Sequence, residues 1–321
     1  MSSHKKRHAW WNVLIICVVV LLIIITPLSL YATADIETKD LDDAARTQAG
    51  GTYVKLPQGV THYELSGPED GQVVVLLPGA TIPMYVWDAQ VEPLTSAGYR
   101  VLRYDLYGRG YSDRPDGDYS QAFNRKQLLD LLDALKIKQP VDLIGVSMGG
   151  GLAVDFAANY PDRVKDLVLV APMINSIKND TNFKLMRIPA VGEFLTRLIA
   201  VKIMSERAAE LMQKSPKAAE YAKLFKAQTQ FKGFEKASLA MARSDAWADY
   251  TDDFQTVGKQ ARKLLLIWGT ADSDITPQMV QSIQKALPNV QFKQLEGVGH
   301  DPQVDVPDQV NSLILDFLKQ Q

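Results

Sequence analysis

Ser147 stands in Val141-Asp142-Leu143-Ile144-Gly145-Val146-Ser147-Met148-Gly149-Gly150-Gly151, a Gly-x-Ser-x-Gly run between an apolar stretch and a segment of helical pattern. That setting predicts a sharp strand-to-helix turn, which strains the serine backbone and exposes its hydroxyl at the helix N-terminus. Gly145 and Gly149 complete this nucleophile elbow, because side chains two positions from the serine clash in so tight a turn. A serine hydroxyl becomes a nucleophile only beside a base, and the base needs an acid to orient it. His300, in Gly297-Val298-Gly299-His300, is the sole histidine downstream of Ser147 and follows the apolar-alternating stretch Val290–Leu295. Of the other three, His4 and His8 lie near the N-terminus, and His62 precedes the first core strands without a matching context. The acid is Asp272, in the loop Gly269-Thr270-Ala271-Asp272-Ser273-Asp274 that follows an apolar run; Asp274 stays open as the alternative. Attack on a carbonyl also needs donors for the oxyanion: the N–H of Met148, and that of Ala80 in Leu76-Leu77-Pro78-Gly79-Ala80.

Elements that hold such residues follow from the hydrophobic pattern. Short apolar runs at Val73–Leu77, Val101–Leu102, Val141–Ile144, Leu167–Val170 and Leu264–Trp268 suit strands buried on both faces. Helical spacing separates them, from Phe123 to Leu135, from Gly149 to Asn159 and from Val306 to Leu318. The expected fold is α/β: a mostly parallel central sheet with helices on both faces. Residues 173–250 interrupt the alternation with helical patterns and no strand, which reads as an inserted helical cap. Its apolar members Phe183, Met186, Phe194, Leu195, Ile199 and Met204 suit the lining of a greasy pocket, whereas Lys214, Lys217, Lys223, Lys226, Lys232 and Lys236 read as a solvated face. The chain then divides into an N-terminal segment 1–34, a polar tether 35–52, a first core part 53–172, the cap 173–250 and a second core part 251–321.

Composition limits the function further. The chain has 321 residues, 46% hydrophobic, too many for a disordered protein, and its net charge of −2 argues against a nucleic-acid binder. Its one cysteine, Cys17, and so few histidines leave too few ligands for a metal site. Gly149-Gly150-Gly151 belongs to the elbow and lacks a phosphate-binding pattern, so no cofactor is expected. His4-Lys5-Lys6-Arg7-His8 precedes an apolar run from Ala9 to Leu30, bordered by Trp10, Trp11 and Tyr31. At about 1.5 Å per residue that run is long enough for a bilayer core of about 30 Å. The basic flank then keeps the N-terminus cytoplasmic and exports the body, tethered to the membrane on its periplasmic or extracellular side. The competing reading is a signal peptide cut at Ala32-Thr33-Ala34, which gives a secreted body.

Residues 53–321 resemble the α/β-hydrolase superfamily, in particular its capped serine esterases and monoacylglycerol-lipase-like members. Four ordered motifs carry the resemblance: Asp105-Leu106-Tyr107-Gly108-Arg109-Gly110-Tyr111-Ser112, the Ser147-Met148-Gly149-Gly150 elbow, Trp268-Gly269-Thr270-Ala271-Asp272 and Gly297-Val298-Gly299-His300. The chain departs from the family in having Pro78-Gly79 where His-Gly is usual. It also has one residue more than the common spacing between Gly269 and Pro277. The resemblance implies hydrolysis of an acyl ester or monoacylglycerol-like lipid ester through a Ser147 acyl-enzyme. Serine at the elbow argues against the epoxide hydrolases and dehalogenases of this fold, which use aspartate there. The alternatives are a carbon–carbon bond hydrolase, for whose substrate carboxylate the sequence shows no positioned basic cluster, and a perhydrolase-like enzyme. A non-catalytic ligand-binding protein is the rival from another class, and the complete Ser147, Asp272 and His300 set stands against it.

Overall fold

The computed structural model describes residues 28–175 and 181–320, together with positions 11, 14–16, 18, 19, 21, 25 and 26. Eight strands form one sheet in the order β1-β2-β4-β3-β5-β6-β7-β8. They are β1 (Thr52–Leu56), β2 (Gly59–Ser66), β3 (Val73–Leu77), β4 (Arg100–Tyr104), β5 (Val141–Val146), β6 (Val164–Val170), β7 (Leu264–Gly269) and β8 (Gln291–Leu295). From β4 to β8 neighbouring strands run parallel, while β1–β2 and β2–β4 pair antiparallel. Every residue of β3, β5 and β7 is buried, as continuous Val, Leu and Ile runs require when helices cover both faces. Along β3 the faces alternate: Val73, Val75 and Leu77 join one apolar core, Val74 and Leu76 the other. The β1–β2 hairpin has no apolar run that marks it in the sequence, since most of its residues are half-buried or exposed and polar residues interleave.

Helix α1 (Asp43–Ala49) precedes the sheet, and α2 (Asp88–Ser96), α3 (Gln121–Ala134) and α4 (Met148–Asn159) connect its early strands. Between β6 and β7 lie α5 (Thr181–Met186), α6 (Val191–Leu195), α7 (Val201–Leu211), α8 (Ala218–Thr229), α9 (Phe234–Arg243) and α10 (Thr251–Val257). The chain ends with α11 (Pro277–Ala286), α12 (Pro302–Asp305) and α13 (Pro307–Lys319). Parallel strands deliver their C-terminal loops to one edge of the sheet, where ligands bind in folds of this type. Leu77 pairs with Gly145 and Gly269 with Leu295, so the loops that carry Ala80, Ser147, Asp272 and His300 all leave from that edge.

Residues 35–40 contact the helices between β6 and β7. The Glu37 carboxylate accepts from the backbone N–H of Gly233 and Glu235 at the start of α9, and Lys39 bridges to Phe231. A carboxylate there complements the positive end of the helix.

Among the described residues no helix is long and apolar enough to cross a membrane. This overturns the expected membrane anchor, and with it the placement of the body on the far side of a bilayer. Of the run Ala9–Leu30, residues 9, 10, 12, 13, 17, 20, 22–24 and 27 lie outside the described residues. At the end of that run Tyr31 lies under the Arg197 guanidinium, 4.1 Å from the ring centroid, and stacks on Phe194 at 6.2 Å, so this aromatic packs on the cap. Lys5, Lys6, Arg7, Trp10 and Cys17 lie outside the described residues.

Candidate active site

Ser147 follows β5 directly and caps α4 with φ 55° and ψ −124°, a left-handed conformation that costs a side-chain-bearing residue energy. Four backbone bonds hold it there: its N–H donates to Val170 O at 3.0 Å, and its carbonyl accepts from Gly150 N at 3.0 Å, Gly151 N at 3.3 Å and Met173 N at 2.9 Å. The flanking glycines are required by close approach. A Cβ on Gly145 would lie 2.3 Å from Gly149 O, and one on Gly149 would lie 2.3 Å from Pro78 O. The same contact sets the loop Pro78-Gly79-Ala80 against the elbow. Ala80 and Met148 are buried, and among the described residues neither N–H is taken by a hydrogen bond outside regular elements.

Asp272 and His300 come together below this edge. His300 Nδ1 lies 3.0 Å from both Asp272 oxygens, and both residues are buried. Asp272 Oδ1 also accepts from the N–H of Asp274 at 2.8 Å and of Ile275 at 2.9 Å, which fixes the carboxylate before it orients the ring. Asp274, the other candidate acid, takes a different place: its Oδ2 lies 3.7 Å from His300 Nε2 and 2.8 Å from Arg207 of α7. Burial by itself weakens the hold of His300 on a proton. The bond to Asp272 and the charges of Asp301, Asp272 and Asp274 outweigh it and raise the pKa to about 9. Among the described residues no hydrogen bond joins Ser147 Oγ to His300 Nε2, and such bonds tighten in substrate complexes of serine enzymes.

Ser147 lines a cavity of about 770 Å³ together with Ala80, Arg109 and Asp274. Cap residues Phe183, Met186, Leu195, Ile199 and Met204 form its apolar wall; Phe194 is not part of it and stacks on Tyr31. His300 lines a separate polar pocket of about 140 Å³ with Arg207 and Lys214, so Asp274 and the His300 ring mark the boundary between the two spaces.

His62 belongs elsewhere. Its Nδ1 lies 2.7 Å from Asp105 Oδ2, and Asp105 also accepts from Met84 N and Tyr111 N, each at 3.0 Å. This network stiffens the loop 105–112 rather than serving Ser147. Arg109 and Ser238, which lie on the cavity wall with Thr81 and Thr196, went unread in the sequence. The first stood inside a quoted motif, and the second sits without any signal on α9.

Comparison with known proteins agrees with this fold. The family model described as alpha/beta hydrolase fold matches residues 72–307. The chain is similar to a 2-hydroxy-6-oxononadienedioate/2-hydroxy-6-oxononatrienedioate hydrolase of Cupriavidus pinatubonensis, 29% identical over 85% of this chain and 97% of that protein. It is likewise 29% identical to the enzyme of that name from Paraburkholderia xenovorans, over 83% of this chain and 94% of the relative. In three dimensions it resembles a thermophilic esterase from Thermogutta terrifontis, with TM-score 0.71, 23% identity and coverage of 84% of this chain and 98% of that one.

Proposed function

This chain belongs to the alpha/beta hydrolase fold family, and on that premise we propose that it is a Ser147-dependent hydrolase that cleaves a carbon–carbon bond beside a ketone. The carrying observation is the juxtaposition at one sheet edge of a strained, half-buried serine that lines a cavity, a carboxylate-oriented histidine and two backbone N–H groups. That constellation suits attack on a carbonyl carbon. Ser147 Oγ adds to the carbonyl as His300 Nε2 takes its proton, and the N–H groups of Ala80 and Met148 stabilise the oxyanion. Collapse breaks the bond to the leaving carbon, which receives the proton from His300. Water, activated by the same ring, then hydrolyses the Ser147 acyl group. Asp272 holds the ring and stabilises the imidazolium throughout.

The choice of bond is supported by the two relatives. The compound in their name carries hydroxyl, oxo and carboxylate groups but no ester or amide, so hydrolysing it means breaking a carbon–carbon bond. Ester hydrolysis is the second reading, favoured by the apolar cap wall of the cavity, which suits an acyl chain. Both use the same nucleophile. Purified enzyme offered 2-hydroxy-6-oxo-6-phenylhexa-2,4-dienoate and a chain-length series of p-nitrophenyl esters is expected to turn over the dienoate with the higher kcat/KM, and Ser147→Ala to lose both activities. Turnover of esters alone removes the carbon–carbon reading.

A further inference from the structure

Arg109 is 3% exposed, lies on the loop after β4 and lines the cavity of Ser147. Its Nε donates to Ala80 O at 2.7 Å, and its Nη1 to Gly108 O at 2.9 Å and Ser238 Oγ at 3.2 Å. Nη2 reaches only the sulfur of Met241, at 3.6 Å, which leaves one of five N–H groups unclaimed and another weakly held.

The charge is uncompensated as well. Among the described residues no carboxylate lies within ion-pair distance of Arg109, whereas Arg103, Arg125, Arg197 and Arg207 each meet one. The neighbouring charged group is another cation, Arg114, and the Phe234 ring lies 5.3 Å from the guanidinium carbon. Burial lowers the Arg109 pKa to about 10, so the group stays cationic at neutral pH. Among the described lining residues the one carboxylate, Asp274, is bonded on its outer side to Arg207. A guanidinium taken out of water without a counter-ion is costly, and an anion that enters the cavity removes that cost. Ser238 Oγ, which accepts from Nη1, adds a hydroxyl next to the guanidinium, so a carboxylate meets a second donor group there.

We propose that Arg109 and Ser238 form an anion subsite inside the Ser147 cavity, which binds a carboxylate of the substrate and selects oxo acids over neutral carbonyl compounds. This rests on the hydrolase reading of the same cavity and deepens it: the apolar wall takes the carbon chain, and Arg109 takes the charged end. It also supplies the positioned cation that the sequence did not reveal, because Arg109 and Ser238 lie 129 residues apart in the chain.

The test is binding to full-length Ser147→Ala protein, which stays readable whether or not any turnover assay succeeds. Titration calorimetry with sodium octanoate and with octanamide compares a carboxylate with its uncharged isostere. The subsite predicts octanoate at least about tenfold tighter, and loss of that preference in Arg109→Met with octanamide affinity kept. Ser238→Ala is expected to reduce the preference without abolishing it, and serves if the Arg109 variant does not fold. Equal binding of the two probes overturns the proposal. So does a preference unchanged in the folded variants, which would place the carboxylate in the oxyanion hole beside His300 instead.

Discussion

Asp274 Oδ2 lies 3.7 Å from His300 Nε2, the nitrogen that takes the proton of Ser147 in the proposed mechanism. The ring is thus held between two carboxylates, Asp272 on Nδ1 and Asp274 on the working side. Asp274 is in turn shared with Arg207 of the cap, which draws off part of its charge.

A pH profile follows from this arrangement. A general base acts only when unprotonated, and the His300 pKa is raised to about 9, so kcat/KM rises with pH and reaches half its maximum near pH 9. Asp274→Asn removes one of the raising charges and moves this limb to lower pH. Because Asp274 is half exposed and screened, the shift is of the order of half a unit, or about threefold in activity at pH 7. Arg207→Ala frees the Asp274 charge and moves the limb the other way. Rates measured from pH 6 to pH 10 check all three statements, and a profile indifferent to Asp274 contradicts them.

Stability responds with the opposite slope. The folded pKa of His300 exceeds its ordinary value of 6.5, so the contribution is complete below pH 6.5 and is lost as pH rises through about 9. Urea midpoints of the wild type are expected to fall across that window, and His300→Gln to remove this part of the fall.

Gly149→Ala tests the elbow itself. Its methyl carbon would sit 2.3 Å from Pro78 O, a backbone atom that cannot swing aside. The expected cost is roughly 3 kcal/mol, read from urea unfolding. Surviving activity should drop by more than about tenfold as the oxyanion loop is pushed away from Ser147.

His62 separates the structural histidine from the catalytic one. His62→Ala removes the ring that bonds Asp105 and stacks on Tyr53 at 4.8 Å. It should therefore lower stability by about 2 kcal/mol and leave the reactivity of Ser147 within a few-fold of wild type. His300→Ala should instead slow the labelling of Ser147 by about a hundredfold or more.

What the sequence discloses depends on how local the signal is. Ser147 and its glycines are legible because the turn that strains the serine is written within five residues, and β5 before it is apolar but for Asp142. Asp272 is legible because it follows the apolar strand β7, and His300 because it is the sole histidine downstream of Ser147, although only the fold decides that Asp272, rather than Asp274, meets Nδ1. The β1–β2 hairpin is not legible, since its half-exposed residues mix polar and apolar types. Nor is Arg109: its meaning depends on which carboxylates are absent around it in space, and no spacing records that. The membrane reading of the N-terminal apolar run fails on a separate observation: among the described residues no helix is long and apolar enough to span a bilayer.

The central claim is that Ser147 is a nucleophile driven by the His300–Asp272 pair. Treatment of the full-length protein with a fluorophosphonate probe, followed by peptide mass mapping, tests it most directly. One adduct is expected, on the peptide that contains Ser147, absent in Ser147→Ala and slowed by about a hundredfold or more in His300→Ala. An unlabelled wild type, or an adduct that persists in Ser147→Ala, contradicts the account.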